Sequence, residues 1–179
     1  TDQVSAFADR QTIDRDLVNL LKSGRTWCGD SYDLTTTYNY NFSVPFLRDS
    51  DPYCVQISVL SRTIGSNNHS TWNMSIGSEA FSFIDSGISG NYAGLYADTS
   101  ARVFCSTASG TNLPISVTFD KHDPISSTGW MNFLELNARR DLKMVGDQLM
   151  FRDPVSVGAG RISEFTLDLA GNVYRIWDV

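Results

Sequence analysis

Two histidines, three cysteines and five prolines are all that 179 residues contain of those types, and each scarcity excludes something. The cysteines, Cys28, Cys54 and Cys105, are odd in number and show neither a Cys-x-x-Cys step nor metal-ligand spacing. They allow one disulfide at most, which rules out a small scaffold stapled by many bridges and a zinc ribbon. Thiols buried as small apolar groups are the plainer expectation. Long apolar runs are missing too. Nothing approaches the roughly 20 residues of a membrane helix, so a membrane-spanning helix is not expected. Basic charge is short: Lys and Arg number 14 against 20 Asp and Glu, a formal net charge of -6. A duplex nucleic-acid partner needs a basic face, so none is expected. No initiating Met or signal peptide is visible, and the sequence reads as a piece cut from a longer protein.

What is present is an ordinary globular balance, 41% hydrophobic and 19% charged, enough for one domain with one core. Residues 8–23 are expected to form a helix. Ile13, Leu17, Leu20 and Leu21 share a helical face, Asp9 or Thr12 offers a start, and Gly24 offers a stop. From Tyr32 the period falls to two. Tyr38, Tyr40, Phe42, Val44 and Phe46 alternate with polar residues, and so do Val55, Ile57 and Val59. Trp72, Met74 and Ile76 follow, then Leu113, Ile115, Val117 and Phe119. The stretch from Gly129 to Met144 has no Pro and no internal Gly. Its period is mixed, because Trp130, Phe133, Leu134 and Asn137 fit a helix while Leu134, Leu136 and Ala138 fit a strand. Its β-rich surroundings favour a long central strand. Gly146-Asp147 then predicts a turn into a hairpin strand, Gln148–Arg152. The expectation is an all-β, jelly-roll-like β-sandwich with one N-terminal helix: a helical lead-in over 1–23 and a sandwich over 24–179, with a small β-unit possible from about 146.

Candidate chemistry is thin. His69 and His122 are the only bases for a Cys/His pair, and the turns Asp49-Ser50-Asp51 and Asp120-Lys121-His122-Asp123 lack calcium-loop spacing. No cofactor is called for, and no catalytic or metal-ligating residue is expected. Two interaction features stand out. Arg139-Arg140 must face opposite sides of a strand, and alternation from Leu134 turns Arg140 inward. It then needs a carboxylate, with Glu135, Asp141 and Asp147 near in sequence. Trp72, Tyr92 and Tyr96 offer aromatic faces of the kind that stack on sugar rings.

Four blocks carry a family resemblance. Gly129-Trp130-Met131-Asn132-Phe133-Leu134-Glu135-Leu136-Asn137, with Arg139, Arg140 and Leu142, is followed by Gly146-Asp147-Gln148-Leu149, with Phe151 and Arg152. Trp177-Asp178-Val179 and Gly24-Arg25-Thr26-Trp27-Cys28-Gly29 are the others. Together they resemble the region upstream of the peptidase domain in the gingipain-like sortases of the type IX secretion system. That resemblance implies a parent at the Gram-negative outer membrane or in the periplasm, a cysteine peptidase that trims C-terminal sorting signals from cargo. In that family the catalytic His is followed by Gly; here His69 precedes Ser70 and His122 precedes Asp123, so the catalytic pair lies outside this chain. A non-catalytic scaffold role is then implied. Its partners would be the peptidase domain, secretion components or cargo signals, with Arg139, Arg140 and Trp177 as contact candidates. The alternative is a carbohydrate-binding jelly-roll module using Trp72, Tyr92 and Tyr96.

Overall fold

Alternation in sequence becomes two facing sheets. The structure, a computed structural model, describes every residue except 24, 108, 109, 123, 170, 172, 178 and 179. The helix stop at Gly24, Asp123 of the acidic turn, and Asp178 and Val179 of the last block therefore lie outside the described residues. Eleven strands are described: β1 (Asp2–Val4), β2 (Ala6–Asp14), β3 (Ser31–Tyr32), β4 (Thr37–Ser43), β5 (Tyr53–Thr63), β6 (His69–Ile76), β7 (Glu79–Ser86), β8 (Asp98–Ser106), β9 (Asn112–Asp120), β10 (Ser127–Asp141) and β11 (Ser163–Phe165). One sheet runs β2-β10-β5-β8, with β3 also on β10; the facing sheet runs β4-β9-β6-β7. A small parallel pair, β1 with β11, stands apart.

The core is the inner faces of these sheets. Val55, Ile57, Val59, Met131, Leu134, Leu136 and Ala138 meet Tyr40, Phe42, Trp72, Met74, Ile76, Leu113, Ile115, Val117 and Phe119. All but Met131 are alternating positions read from the sequence, and period-two burial is what a sheet with one solvated face requires; Phe46, read as the last position of the first alternating strand, instead lies past the end of β4 at Ser43 and is exposed. β10 is the interior strand that the sequence suggested, bonded on both sides.

Its mixed period has a local cause. Met131 pairs with Val59 and Phe133 with Ser58, so Asn132 is one extra residue, a β-bulge. A bulge flips which residues face inward. Gly129 and Met131 face the core before it; Leu134, Leu136, Ala138 and Arg140 do so after it.

The expected N-terminal helix does not form. Residues 6–14 pair with Phe133–Asp141 of β10 over nine register positions. The free edge of β10 needs partners for its backbone, and β2 supplies them in a way no helix can. Of the supposed helical face, Ile13 packs on the main core and Leu20 on a smaller cluster, whereas Leu17 and Leu21 stand exposed. Beyond β2, Gly29 N donates to Met131 O at 2.7 Å and Met131 N to Asp30 O at 3.0 Å, so the chain returns to the same edge of β10. Leu20 and Cys28 of the chain that follows pack with Leu60 and Trp130 in a smaller cluster.

The hairpin expected after Gly146 is also absent. Residues 148–152 form no strand; Arg152 O instead accepts the amide of Ala8 at 2.9 Å.

Against the expectation of buried free thiols, Cys54 is joined to Cys105, directly opposite it on the edge strand β8 and exposed there. Cys28 is free and buried. Burial, reinforced by the charge of Asp16, pushes its thiol pKa up, which leaves it a poor nucleophile.

Candidate interaction surface

The paired arginines end β10, and the bulge decides their directions. Arg140 turns inward. It donates from Nη1 to Asp9 Oδ2 at 3.0 Å and from Nε to Pro45 O at 2.7 Å, and lies 5.2 Å from the Phe7 ring centroid. Asp9 sits opposite Ala138 in β2, two residues along the same inner face from Phe7. The expectation of an inward arginine with a carboxylate holds, but the carboxylate comes from 131 residues away rather than from Glu135, Asp141 or Asp147. Glu135 is taken by Arg10 and by Asn137 Nδ2 at 2.9 Å.

Arg139 faces outward into a charged chain. Its Nη1 donates to Asp153 Oδ1 at 2.7 Å, and its Nε lies 3.4 Å from Asp51 Oδ2. Arg48 reaches Asp51 at 3.9 Å and Asp141 at 3.4 Å. Both arginines are thus engaged within the chain. Arg139 clamps Asp153 at the start of a 3-10 turn, Pro154–Ser156, and so fixes where the following residues leave the sandwich.

Burial pushes the Asp153 carboxyl upward, but the hydrogen bond and charge of Arg139, with help from Ser156 and the Val155 amide, outweigh it and leave the pKa below the usual range. Glu135 is likewise held low, its burial outweighed by Asn137 and Arg10. A carboxylate depressed in the folded state contributes stability that is complete above the unfolded pKa, near 4, and is lost as pH falls through the folded value. Urea midpoints are therefore expected to fall steadily between about pH 4 and pH 2, with a shallower slope in Asp153→Asn. Equal slopes in the two proteins would refute the Arg139 clamp.

The aromatic candidates separate. Trp72 is fully buried, its Nε1 donating to Ser61 Oγ at 2.8 Å, so it offers no face to a sugar. Its alternating neighbours in β6 put it in the core. Tyr92 is fully exposed on the β7–β8 loop. Tyr96 is partly exposed, with the Arg62 guanidinium 4.4 Å from its ring centroid. No platform joins all three.

Trp177 is exposed, and it is not alone. Among the described residues, nine of the 21 exposed large apolar side chains fall within residues 145–177: Val145, Met150, Val155, Val157, Ile162, Phe165, Val173, Ile176 and Trp177. Among its described residues the segment has little regular structure beyond the 3-10 turn and β11, but it is anchored. Asp2 N donates to Ile162 O, Thr166 N to Val4 O, and Arg161 pairs with Asp2 at 2.6 Å. Sequence reading found only Trp177 here. The remaining signal was available in Val155, Val157 and Ile162, apolar residues set among Gly and Pro with no strand alternation to bury them.

The sequence matches no protein-family model and no curated protein. Among solved structures, the crystal structure of dimeric latent PorU from Porphyromonas gingivalis matches with a TM-score of 0.75 and 17% identity, over 92% of this chain and 16% of that one. The likeness is one of fold. Two carbohydrate-binding modules match more loosely. The CBM36 module in complex with calcium and xylotriose gives a TM-score of 0.44 at 11% identity, over 70% of this chain and 98% of that one. The CBM36-1 domain of a multidomain xylanase from the Trinervitermes trinervoides hindgut metagenome gives 0.43 at 10%, over 72% and 96%. This chain thus spans a small part of PorU and is a β-sandwich of the same fold as that part.

Proposed function

We propose that this β-sandwich is a non-catalytic interaction domain of a longer cysteine peptidase resembling PorU, and that the apolar strip on residues 145–177 packs against the remainder of that chain. The strip is the observation that carries the reading: nine large apolar side chains held at the surface on an anchored segment. The sequence blocks at Gly129 and Gly146 and the fold likeness to PorU support the same parent. In that parent the sandwich holds the peptidase domain at the outer membrane or in the periplasm, where sorting signals are removed from cargo. Catalysis is assigned to another domain, since two thiols here are bonded to one another and the third is buried with a raised pKa. Arg139 contributes by positioning, through its hold on Asp153 ahead of Val155 and Val157.

The test mixes this chain with the separately expressed remainder of the parent. Val157→Asp and Ile176→Asp are expected to weaken association by at least about tenfold, as truncating an interface anchor does, with melting temperature unchanged. Association indifferent to both changes, or none at high micromolar concentration, would overturn the reading. In the second case Tyr92 and Tyr96 would justify a glycan screen.

A further inference from the structure

Between the sheets, at the edge where β7 faces β8, a carboxylate is buried without a cation. Asp85 on β7 is 3% exposed, and none of the ion pairs formed among the described residues includes it. It accepts from Ser61 Oγ at 2.6 Å and Ser100 Oγ at 2.5 Å. Trp72 Nε1 donates to Ser61 Oγ, so the single Ser61 proton is committed to Asp85.

Two further buried hydroxyls sit at neighbouring strand positions. Ser70 stands directly opposite Asp85 across the β6–β7 ladder. Thr63 lies two residues beyond Ser61 on β5, on the same face, and its carbonyl accepts the amide of Ile88 at 2.8 Å, just past Asp85 in the chain. Each is 1% exposed, and among the described residues Ser70 Oγ and Thr63 Oγ1 have no hydrogen-bond partner. Backbone oxygens crowd Gly87, two residues past Asp85, each already accepting an amide: Gly65 O from Asn68, Asn68 O from Gly87 and Thr63 O from Ile88. A Cβ built on Gly87 would lie 2.1 Å from Gly65 O, 2.9 Å from Asn68 O and 3.1 Å from Thr63 O.

A buried charge with only neutral donors, and buried hydroxyls with none, are both costly. One occupant answers both. The donor atoms are all oxygen, the set a hard cation takes. A single carboxylate is neutralised by a single positive charge, whereas a divalent ion would leave a surplus buried in low dielectric. Three protein oxygens suit a small monovalent ion better than potassium, which takes a larger shell of ligands. We propose that Asp85, Thr63 and Ser70 hold a sodium ion between the two sheets, tying β7 to β5 where the sandwich is open at its edge. Each hydroxyl coordinates through a lone pair and keeps its proton for an acceptor.

Thermal melts of the chain in sodium chloride and in choline chloride at matched ionic strength test this. Sodium is expected to raise the midpoint by about 3–6 °C, saturably with concentration. Asp85→Asn should lose that response, and Ser70→Ala, which keeps the carboxylate, should shift the half-saturating sodium concentration upward by about tenfold. If Asp85→Asn does not fold, the Ser70→Ala titration and sodium-23 line broadening on the unmodified chain carry the test. Equal midpoints in the two salts, with no line broadening, would overturn the site and leave a buried water in its place. A larger rise with potassium or calcium would overturn the assignment to sodium.

Discussion

Asp9→Ala is expected to lower folding stability by about 3–5 kcal/mol, seen as a fall of roughly 1.5–2 M in the urea midpoint for a chain of this size. The cost comes from Arg140 rather than from the lost carboxylate. Arg140 is 6% exposed, and among the described residues its charge meets Asp9, the carbonyl of Pro45 and the face of Phe7. A guanidinium cannot shed its proton to escape burial. Removing Asp9 therefore strands a full charge beside Phe7, where desolvation is not returned by any anion. The converse change should be milder. In Arg140→Met the Asp9 carboxylate keeps a donor, Gln11 Nε2 at 2.8 Å, and its side chain is 15% exposed, so water still reaches it. The double change Asp9→Leu with Arg140→Met should return to within about 1 kcal/mol of the parent, because well-packed apolar groups often replace a buried pair without loss. This ordering, with Asp9→Ala the worst of the three, separates a buried ion pair from simple packing. A loss under about 1 kcal/mol in Asp9→Ala would mean that Arg140 finds solvent, and the inner end of β10 would need another description.

The same strand shows what could be read from the sequence. Strands with one solvated face announce themselves, and β4, β6 and β9 were legible because Tyr40, Trp72, Leu113 and their neighbours alternate without interruption. β10 was legible as a strand only from its context, since the extra residue at Asn132 breaks the alternation and mimics a helical step between Trp130 and Leu134. A bulge leaves no reliable trace in composition. β2 was misread for a different reason. Its inner face is Phe7, Asp9, Gln11 and Ile13, two of them polar, and Asp9 belongs there only because Arg140 lies opposite. A pattern of apolar residues cannot reveal a pair separated by 131 residues in sequence. The bonding of Cys54 to Cys105 was likewise one of several open possibilities until register placed them face to face. Of the interaction candidates, Trp177 was picked out only through the family resemblance, while Val155, Val157 and Ile162 lie beyond the expected hairpin strand, in a stretch the sequence reading gave no element.

Gly129→Ala is expected to cost about 3 kcal/mol, at the upper end for overpacking, and Gly129→Val to prevent folding. Glycine weakens a strand interior and has no evident place in the longest strand of the chain unless something approaches closely. Here something does. A Cβ on Gly129 would lie 2.6 Å from Trp72 Cζ2, 2.8 Å from its Cη2 and 3.0 Å from Phe119 Cγ. The indole cannot step aside freely. Its Nε1 is bonded to Ser61 Oγ, its ring meets Tyr32 edge-on at 4.8 Å, and it rests on Phe119 at 4.7 Å. Moving it would loosen the Ser61 link to Asp85, so a single methyl group at Gly129 acts on the polar chain between the sheets as well as on packing. The backbone of Gly129 lies in ordinary strand conformation and pairs with both Tyr32 and Ser61, so the penalty is one of space rather than of dihedral strain. That distinction has its own readout. Phe119→Leu opens room at the same spot, and combined with Gly129→Ala it should give a protein more stable than the sum of the two single losses by about 1–2 kcal/mol, the coupling expected of side chains in contact. Additive losses would place the fault in the backbone, and a Gly129→Ala protein of unchanged stability would show that the Trp72 indole is not pinned by Ser61.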